Sequence, residues 1–459
     1  MPDAGHFDFL IIGGGQAGIP LAHGLAKTGK QVGLVEEKYL GGSCINFGCT
    51  PTKAAIASAR LAYQARKAVE FGLKIPTVEV DFAAVLKRAK DILMRSRNGL
   101  DRGFERVDNP SLIRGHAALD GRNGNGFAVK VGDAHLTADQ VVLDTGTRTA
   151  IPPIPGLKRL DTIDSENWLE KTDLPEQLIM VGAGYIGLEM GQFYRRMGSQ
   201  VTIIEGSGQI IAQEDNDVAS AIQGSLESEG IEFRKNTKVK NVRPSRDGVI
   251  VLVEGLSGQA EIEGSHLFLA TGRKPNTDKL ALDKAGVKTT DGGIVQVDNR
   301  LATSVKGVWA AGDIRGGPMF THTSWDDYRI LMSQLAGDGS RTTDRIIPYG
   351  VFVDPELGRV GMTEKEARAS GANVKVSRFD MAKNSKANEI GEPRGFIKVV
   401  ADAGTDRILG ASVLASEGAE LVHMYVDIMN AGAPFSAIRD AIHIHPTLAE
   451  AVQSAVSQL

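Results

Sequence analysis

An α/β fold with two Rossmann-like units and a C-terminal α+β domain is predicted for this chain on three observations. A short apolar strand running into Gly-x-Gly-x-x-Gly, a helical run and a second strand closed by glutamate occurs near the N-terminus and again from Leu178. From about Ile346 the texture changes to strands in a hairpin followed by helices. The 459 residues suffice for about three domains with cores of their own.

The first unit is the strand Phe7 to Ile12, then Gly13-Gly14-Gly15-Gln16-Ala17-Gly18, a helical run to about Thr28, and the strand Gln31 to Val35 with Glu36 at its end. Gly13, Gly15 and Gly18 let backbone N–H groups approach a pyrophosphate at the helix N-terminus, and Glu36 is placed to bond a ribose hydroxyl. A lone glycine triplet would be weak; this one has its strand, helix and acid in place. Next comes Gly41-Gly42-Ser43-Cys44-Ile45-Asn46-Phe47-Gly48-Cys49-Thr50-Pro51-Thr52-Lys53, which holds the only two cysteines of the chain. A disulfide between them would close a very short loop and remove little unfolded-chain entropy, so a structural staple is a poor account of the pair. Pro51 suits a first helical turn, and thiols near a helix N-terminus tend towards thiolate reactivity. Two buried loop cysteines are the plain alternative.

Gly-Gly-Ser-Cys-x4-Cys-x-Pro-x-Lys resembles the redox-active disulfide of the FAD- and pyridine-nucleotide-dependent disulfide reductases, the family of dihydrolipoamide dehydrogenase, glutathione reductase and mercuric reductase. Ser43 stands where Thr is more familiar, and Phe47 and Thr50 where Val or Ile is usual. The resemblance implies FAD on the first unit, with Gly42, Lys53, Thr145 and Gly146 beside it, and a nicotinamide nucleotide on the second.

Phe82, Val85, Leu86, Ala89, Ile92 and Leu93 fall at helical spacing behind an Asp81 cap and are assigned no chemistry. Leu112 to Leu143 reads as short strands broken by Asn-Gly and Gly-Asp turns, ending in Leu143-Asp144-Thr145-Gly146. The Pro-rich stretch from Ile151 to Gly156 is a linker, so residues 1–150 are assigned to the first part of the FAD-binding domain. The second fingerprint is the strand Leu178 to Val181, Gly182-Ala183-Gly184-Tyr185-Ile186-Gly187, the helix Leu188 to Met197 and the strand Val201 to Ile204 with Glu205. Gly182, Gly184, Gly187 and Gly272 are the expected NAD contacts. A carboxylate at Glu205 accepts from a ribose 2′-hydroxyl and repels a 2′-phosphate, and no Arg or Lys lies between Gly206 and Asp217, so NADH is preferred over NADPH.

Residues 151–272 form the expected NAD(P)-binding domain. Leu269 to Asn276 returns the chain to the first domain, for residues 273–345. There, Thr303 to Asp313 resembles the family's second FAD segment, with Asp313 delivered to the ribityl chain; a turn residue after glycine is the bland alternative. Residues 346–459 carry a Thr363-x-x-Glu366 capping box, a hairpin of Gly395 to Val400 and Arg407 to Leu414, a helix from Gly418 to Met429, and Ala441-Ile442-His443-Ile444-His445-Pro446-Thr447-Leu448-Ala449-Glu450. This tail resembles the family's interface domain and implies a homodimer.

The family mechanism, carried onto matching positions, makes Cys49 the charge-transfer thiol beside the flavin and Cys44 the interchange thiol. His445 with Glu450 matches the His-Pro-x-x-x-Glu acid–base pair that serves the other subunit's cysteines, and Lys53 with Glu189 resembles an ion pair near the reactive edge of the flavin. His443 is read as packing or hydrogen bonding. His322, Trp325 and Asp327 are read either as neighbours of the flavin or as a plain helix start.

A net charge of -4 gives no reason to expect nucleic acid, no apolar run approaches the roughly 20 residues of a membrane span, and Met1 to Asp8 is too short and polar for a signal peptide. A cytoplasmic enzyme, without a metal site, is expected. Glu205, His445 to Glu450 and Asn384-Ser-Lys-Ala387 favour dihydrolipoamide dehydrogenase, acting on a small disulfide or a lipoyl-bearing protein. Thr50 to Lys53 and Gly15 to Pro20 look more like the mercuric-reductase-like branch. True mercuric reduction is disfavoured, because Gln453 to Leu459 holds no cysteine pair and no N-terminal metal-binding module is present. Glutathione reduction is disfavoured by the NADH preference. Two other classes remain open: a flavin-dependent acceptor reductase for quinones, oxygen or metal ions, and a non-catalytic redox sensor.

Overall fold

The computed structural model describes residues 5–459; the reading of Met1 to Asp8 falls in part on residues 1–4, outside the described residues. The first sheet places Ser111–Arg114, Val32–Glu36, His6–Ile12 and Ala134–Leu143 side by side in parallel. The strand Val308–Ala310 adds in parallel against Ala134–Leu143, and two antiparallel strands, Gly126–Val131 and Ala117–Asn123, extend it. Phe9 to Ile12 are all buried, as expected of a parallel strand covered on both faces. Helix α1 (Gly18–Ala26) follows the first glycine turn. A short α2 (Gly42–Asn46) and the longer α3 (Cys49–Lys67) carry the cysteines. Helix α4 (Phe82–Glu105) starts where the Asp81 side chain accepts from Ala84 N–H at 2.9 Å. Its stripe of Phe82, Leu86, Ala89 and Leu93 is buried with Ala55 and Ala59 of α3, so it is core.

The second unit repeats the plan. Ile231–Arg234, Gln200–Ile204, Gln177–Val181, His266–Leu269 and Ile163–Asp164 form a parallel sheet, with α5 (Tyr185–Met197) and α6 (Asn216–Ser228) on the βαβ connections. The chain enters and leaves this unit along two strands that pair antiparallel, with Thr149 opposite Arg273 and Thr147 opposite Pro275. Helix α7 (Thr321–Ala336) then packs on α1 in the first unit, close enough that a Cβ at Gly24 would lie 2.7 Å from Met332 Sδ.

The C-terminal sheet is antiparallel, in the order Tyr349–Val351, Glu356–Gly361, Ile408–Ala415, Phe396–Asp402, Val374–Asp380. The capping box forms, with Thr363 and Glu366 exchanging side-chain-to-backbone hydrogen bonds. The single helix expected from Gly418 to Met429 is instead two, Gly418–Leu421 and His423–Asn430. The turn tightens where Tyr425 N–H donates to Val422 O at 3.0 Å, because Tyr425 is drawn wholly into the core and its hydroxyl donates to Val452 O. The three regions meet at Arg196 of α5. Its buried guanidinium donates to Glu229 at 2.7 Å and Asp354 at 2.8 Å and stacks 3.9 Å over Tyr63 of α3. That junction holds α5 against α3, which sets the geometry of the site.

Candidate active site

Both glycine turns and the cysteine pair open onto one continuous cavity of about 1590 Å³. The turns are built alike. Gly13 (φ +112°) and Gly182 (φ +105°) sit where a Cβ would meet the carbonyl oxygen of Asp144 at 2.2 Å or of Ala270 at 2.4 Å. Gly18 and Gly187 lie as tightly over Gly13 O and Gly182 O. Glu36 accepts from Gly14 N–H at 2.8 Å and Lys38 N–H at 2.7 Å. Glu205 makes the matching contacts with Ala183 N–H at 2.9 Å and Ser207 N–H at 2.8 Å.

The donor set fits a flavin dinucleotide on the first unit. Gly15 and Gly42 line the cavity, and a Cβ on Gly42 would come within 3.1 Å of Gly15 Cα, so α2 closes directly over the glycine loop. Thr145 and Gly146 form a turn held by Asn276, which donates from its side chain to Thr145 O at 2.9 Å and from its backbone to Gly146 O at 3.0 Å. Asp313 lines the same cavity and accepts from Thr147 Oγ1 at 3.1 Å; burial pushes its carboxyl up despite the nearby Arg273 guanidinium. In the second unit a Cβ on Gly184 would meet nothing within 4 Å and would stand in the cavity, leaving room for a second nucleotide; Gly272 (φ +97°) lines it too.

Cys44 lies in the middle of the short α2 and is half-buried, whereas Cys49 opens α3 and is exposed to the cavity. Both are free thiols, and Cys49 Sγ lies 3.2 Å from the Thr321 hydroxyl. The Cys44 thiol brings the Cys49 pKa down to about 6, and the Thr321 hydroxyl and Lys53 add to this against the opposing effect of burial. The neighbouring Cys49 sulfur, with burial, pushes Cys44 far up. Both shifts favour placing the negative charge of the reduced pair on Cys49. Lys53 lies on α3 with Cys49 and donates to Glu189 Oε2 of α5 at 2.6 Å, while Glu189 Oε1 accepts from Phe352 N–H at 2.9 Å. The Lys53 ammonium also sits 4.6 Å from the centre of the Phe352 ring. Glu189 is 7% exposed, so Lys53→Met strands a buried carboxylate and is expected to cost about 3 kcal/mol. The double variant Lys53→Met/Glu189→Gln should recover much of that loss in a denaturant titration; equal midpoints for wild type and Lys53→Met would refute the pairing argument.

His445 and Glu450 form their predicted pair, Nδ1 to Oε1 at 3.0 Å, and Thr447 N–H with His445 holds the Glu450 carboxyl below the usual range. They do not line the cavity with the cysteines. The His445 side chain is 69% exposed, and beside it Ile442 and Ile444 stand almost wholly in solvent. His443 lies in a loop, half-buried, and its Nδ1 has no hydrogen-bond partner, so it packs only. Of the other residues, Asp327 is buried and accepts from Gly312 N–H at 2.8 Å and Arg315 at 2.7 Å, a structural role. Trp325 is on the surface, while His322 lines the cavity with Nε2 on Pro348 O at 2.6 Å. Three contacts had no assigned role in the sequence: Phe352, Thr321 and Asp144, whose buried carboxylate accepts from Gly18 N–H at 2.7 Å. All three are long-range, and only the last sits in a run that a motif singles out.

The family model described as pyridine nucleotide-disulphide oxidoreductase matches residues 7–327, and that of its dimerisation domain matches residues 347–456. The chain belongs to the pyridine nucleotide-disulfide oxidoreductases. These are FAD-binding flavoproteins that use a pyridine nucleotide. Among curated relatives of this oxidoreductase is RclA of Escherichia coli K12, a probable pyridine nucleotide-disulfide oxidoreductase, 34% identical over 98% of this chain and 99% of that one. Dihydrolipoyl dehydrogenase of Cupriavidus necator is 33% identical over 98% and 97%. A solved Cu(II) complex of the HOCl-induced flavoprotein disulfide reductase RclA from E. coli superposes with a TM-score of 0.88 at 34% identity, covering 98% of this chain and 99% of that one. Among the described residues no helix is long and apolar enough to cross a membrane.

Proposed function

We propose that this oxidoreductase moves electrons between NADH and a dithiol/disulfide substrate through Cys44 and Cys49, most like dihydrolipoamide dehydrogenase. The observation that carries this reading is the single cavity joining the second glycine turn, the first glycine turn and the cysteine pair, with Lys53 and Glu189 between them. FAD, held by Gly13, Gly15, Gly18, Gly42, Glu36, Thr145, Gly146 and Asp313, supplies the two-electron relay between nicotinamide and sulfur. Gly182, Gly184, Gly187 and Gly272 hold the nicotinamide nucleotide.

In the reducing direction, Cys44 gives up its proton and its thiolate attacks one sulfur of the substrate disulfide. A mixed disulfide forms, and the departing substrate sulfur takes a proton. Both proton movements need a base near neutral pH, which is the role of the partner's His445, oriented through Nδ1 by Glu450. Cys49, already ionised, then attacks Cys44 Sγ, re-forming the Cys44–Cys49 bond and releasing the second substrate sulfur. The dimerisation domain and the exposed Ile442, Ile444 and His445 support a homodimer in which each site is completed by the other copy.

Steady-state oxidation of NADH with lipoamide as acceptor tests the substrate: turnover in the usual enzyme range supports the reading, and no turnover while NADH still bleaches the flavin removes lipoamide. The Cu(II) complex of the similar RclA favours one second reading, a metal-ion acceptor, which the same assay with Cu(II) in place of lipoamide addresses. Nucleotide choice rests on Glu205. Glu205→Ala is expected to lower kcat/KM for NADH roughly tenfold while sparing NADPH, since one hydrogen bond to a charged group is lost. Equal losses with both nucleotides would remove Glu205 as the discriminator.

A further inference from the structure

Thr321 opens α7, in the return segment of the first unit, and its hydroxyl lies 3.2 Å from Cys49 Sγ. The two residues are far apart in sequence and on helices that begin at the same wall of the cavity. In the reduced pair the neighbouring Cys44 thiol favours the Cys49 anion. A thiolate has no proton to give, so the contact with Thr321 has one possible direction once Cys49 is ionised. We propose that the Thr321 hydroxyl donates to Cys49 Sγ and makes Cys49 the sulfur that carries the charge of the reduced pair, a role resting on the disulfide-reductase reading above.

The charged groups facing Cys49 are few: Lys53 on its own helix favours the anion, Glu189 of α5 opposes it, and Cys44 of α2 is the coupled partner. Lys53 and Glu189 are neutralised against each other at 2.6 Å, which leaves the two neutral neighbours, Cys44 and Thr321, as the local bias. The consequence is chemical as well as electrostatic. When a substrate thiolate attacks Cys44 Sγ of the oxidised pair, the Cys44–Cys49 bond breaks and Cys49 leaves with the electron pair; a hydroxyl already aimed at that sulfur stabilises the departing anion, and a better-stabilised leaving thiolate departs faster. The reverse attack regenerates the bond from the same anion. Thr321 therefore selects Cys44 as the sulfur that exchanges with substrate.

The test uses the two-electron-reduced holoenzyme as wild type, Thr321→Val and Thr321→Ser. Cys49 ionisation is followed against pH by the rate of iodoacetamide alkylation, mapped to each cysteine by mass spectrometry, and by the long-wavelength thiolate–flavin absorbance. Thr321→Val, nearly the same shape without the donor, is expected to raise the Cys49 midpoint by about one pH unit and to shift alkylation towards Cys44. Thr321→Ser should stay close to wild type. A valine variant with the wild-type midpoint, or a serine variant raised as far as valine, overturns the role of the hydroxyl. If wild type itself shows no Cys49 ionisation between about pH 5 and 8, the thiolate assignment falls first, and with it this inference.

Discussion

Cys44→Ser is expected to lower disulfide turnover by about 10³-fold or more while NADH still bleaches the flavin. A serine hydroxyl is a far weaker nucleophile than a thiol and cannot enter a mixed disulfide, so the exchange step has no route. Hydride delivery uses other groups: the second glycine turn, Glu205 and the cavity wall are untouched. The split between the two half-reactions is the informative part. A stopped-flow record of flavin bleaching by NADH beside a steady-state assay with lipoamide reads both. Should the variant keep lipoamide turnover within about tenfold of wild type, Cys44 is not the exchanging sulfur. Should wild type and variant reduce Cu(II) or a quinone equally well, electrons leave the flavin without passing through Cys44, and the acceptor-reductase reading gains the ground that disulfide reduction loses.

His445→Ala should cost about 10²- to 10⁴-fold in disulfide turnover, the usual contribution of a positioned acid–base group. A stronger test follows from where His445 sits, exposed beside Ile442 and Ile444 and away from its own cysteines. Cys44→Ser and His445→Ala are each expected to be inactive as pure dimers. Mixed and allowed to exchange subunits, they form hybrids in which one site has an intact Cys44 from one chain and an intact His445 from the other. With random exchange of equal amounts, half the dimers are hybrids and half their sites work, so about a quarter of wild-type activity should return. Recovery near zero, with hybrids shown to form by native mass spectrometry, would mean that each chain completes its own site.

Much of this site was legible because its parts are local. Each glycine turn carries its strand, helix and acid within a short span, and the steric reason for Gly13 and Gly182 is a backbone carbonyl directly beneath them. Cys44, Cys49 and Lys53 share one stretch, and His445 and Glu450 pair across five residues. What stayed hidden joins distant segments. Phe352 reaches Lys53 and Glu189 from the C-terminal domain, and Thr321 reaches Cys49 across the fold. No periodicity or spacing encodes such meetings; they follow from how α3, α5 and α7 pack. The break at Val422 escaped for a related reason, since helical spacing runs through it and only the burial of Tyr425 tightens the turn.

The antiparallel pairing of Thr147–Thr149 with Arg273–Pro275 has a bearing on engineering and descent. The polypeptide between them departs and comes home at one spot, like a plug in a socket. The chain connections of such a cassette cross only two short strands, so the joins of an exchange fall there, while the face of α5 that packs on α3, with Arg196 on Tyr63 and Asp354, has to be kept. A chimera joined within those strands is a direct way to give this scaffold a different electron donor while its sulfur chemistry stays where it is. The same geometry lets the two halves of the molecule diversify separately, one tuned to the reductant and the other to the acceptor.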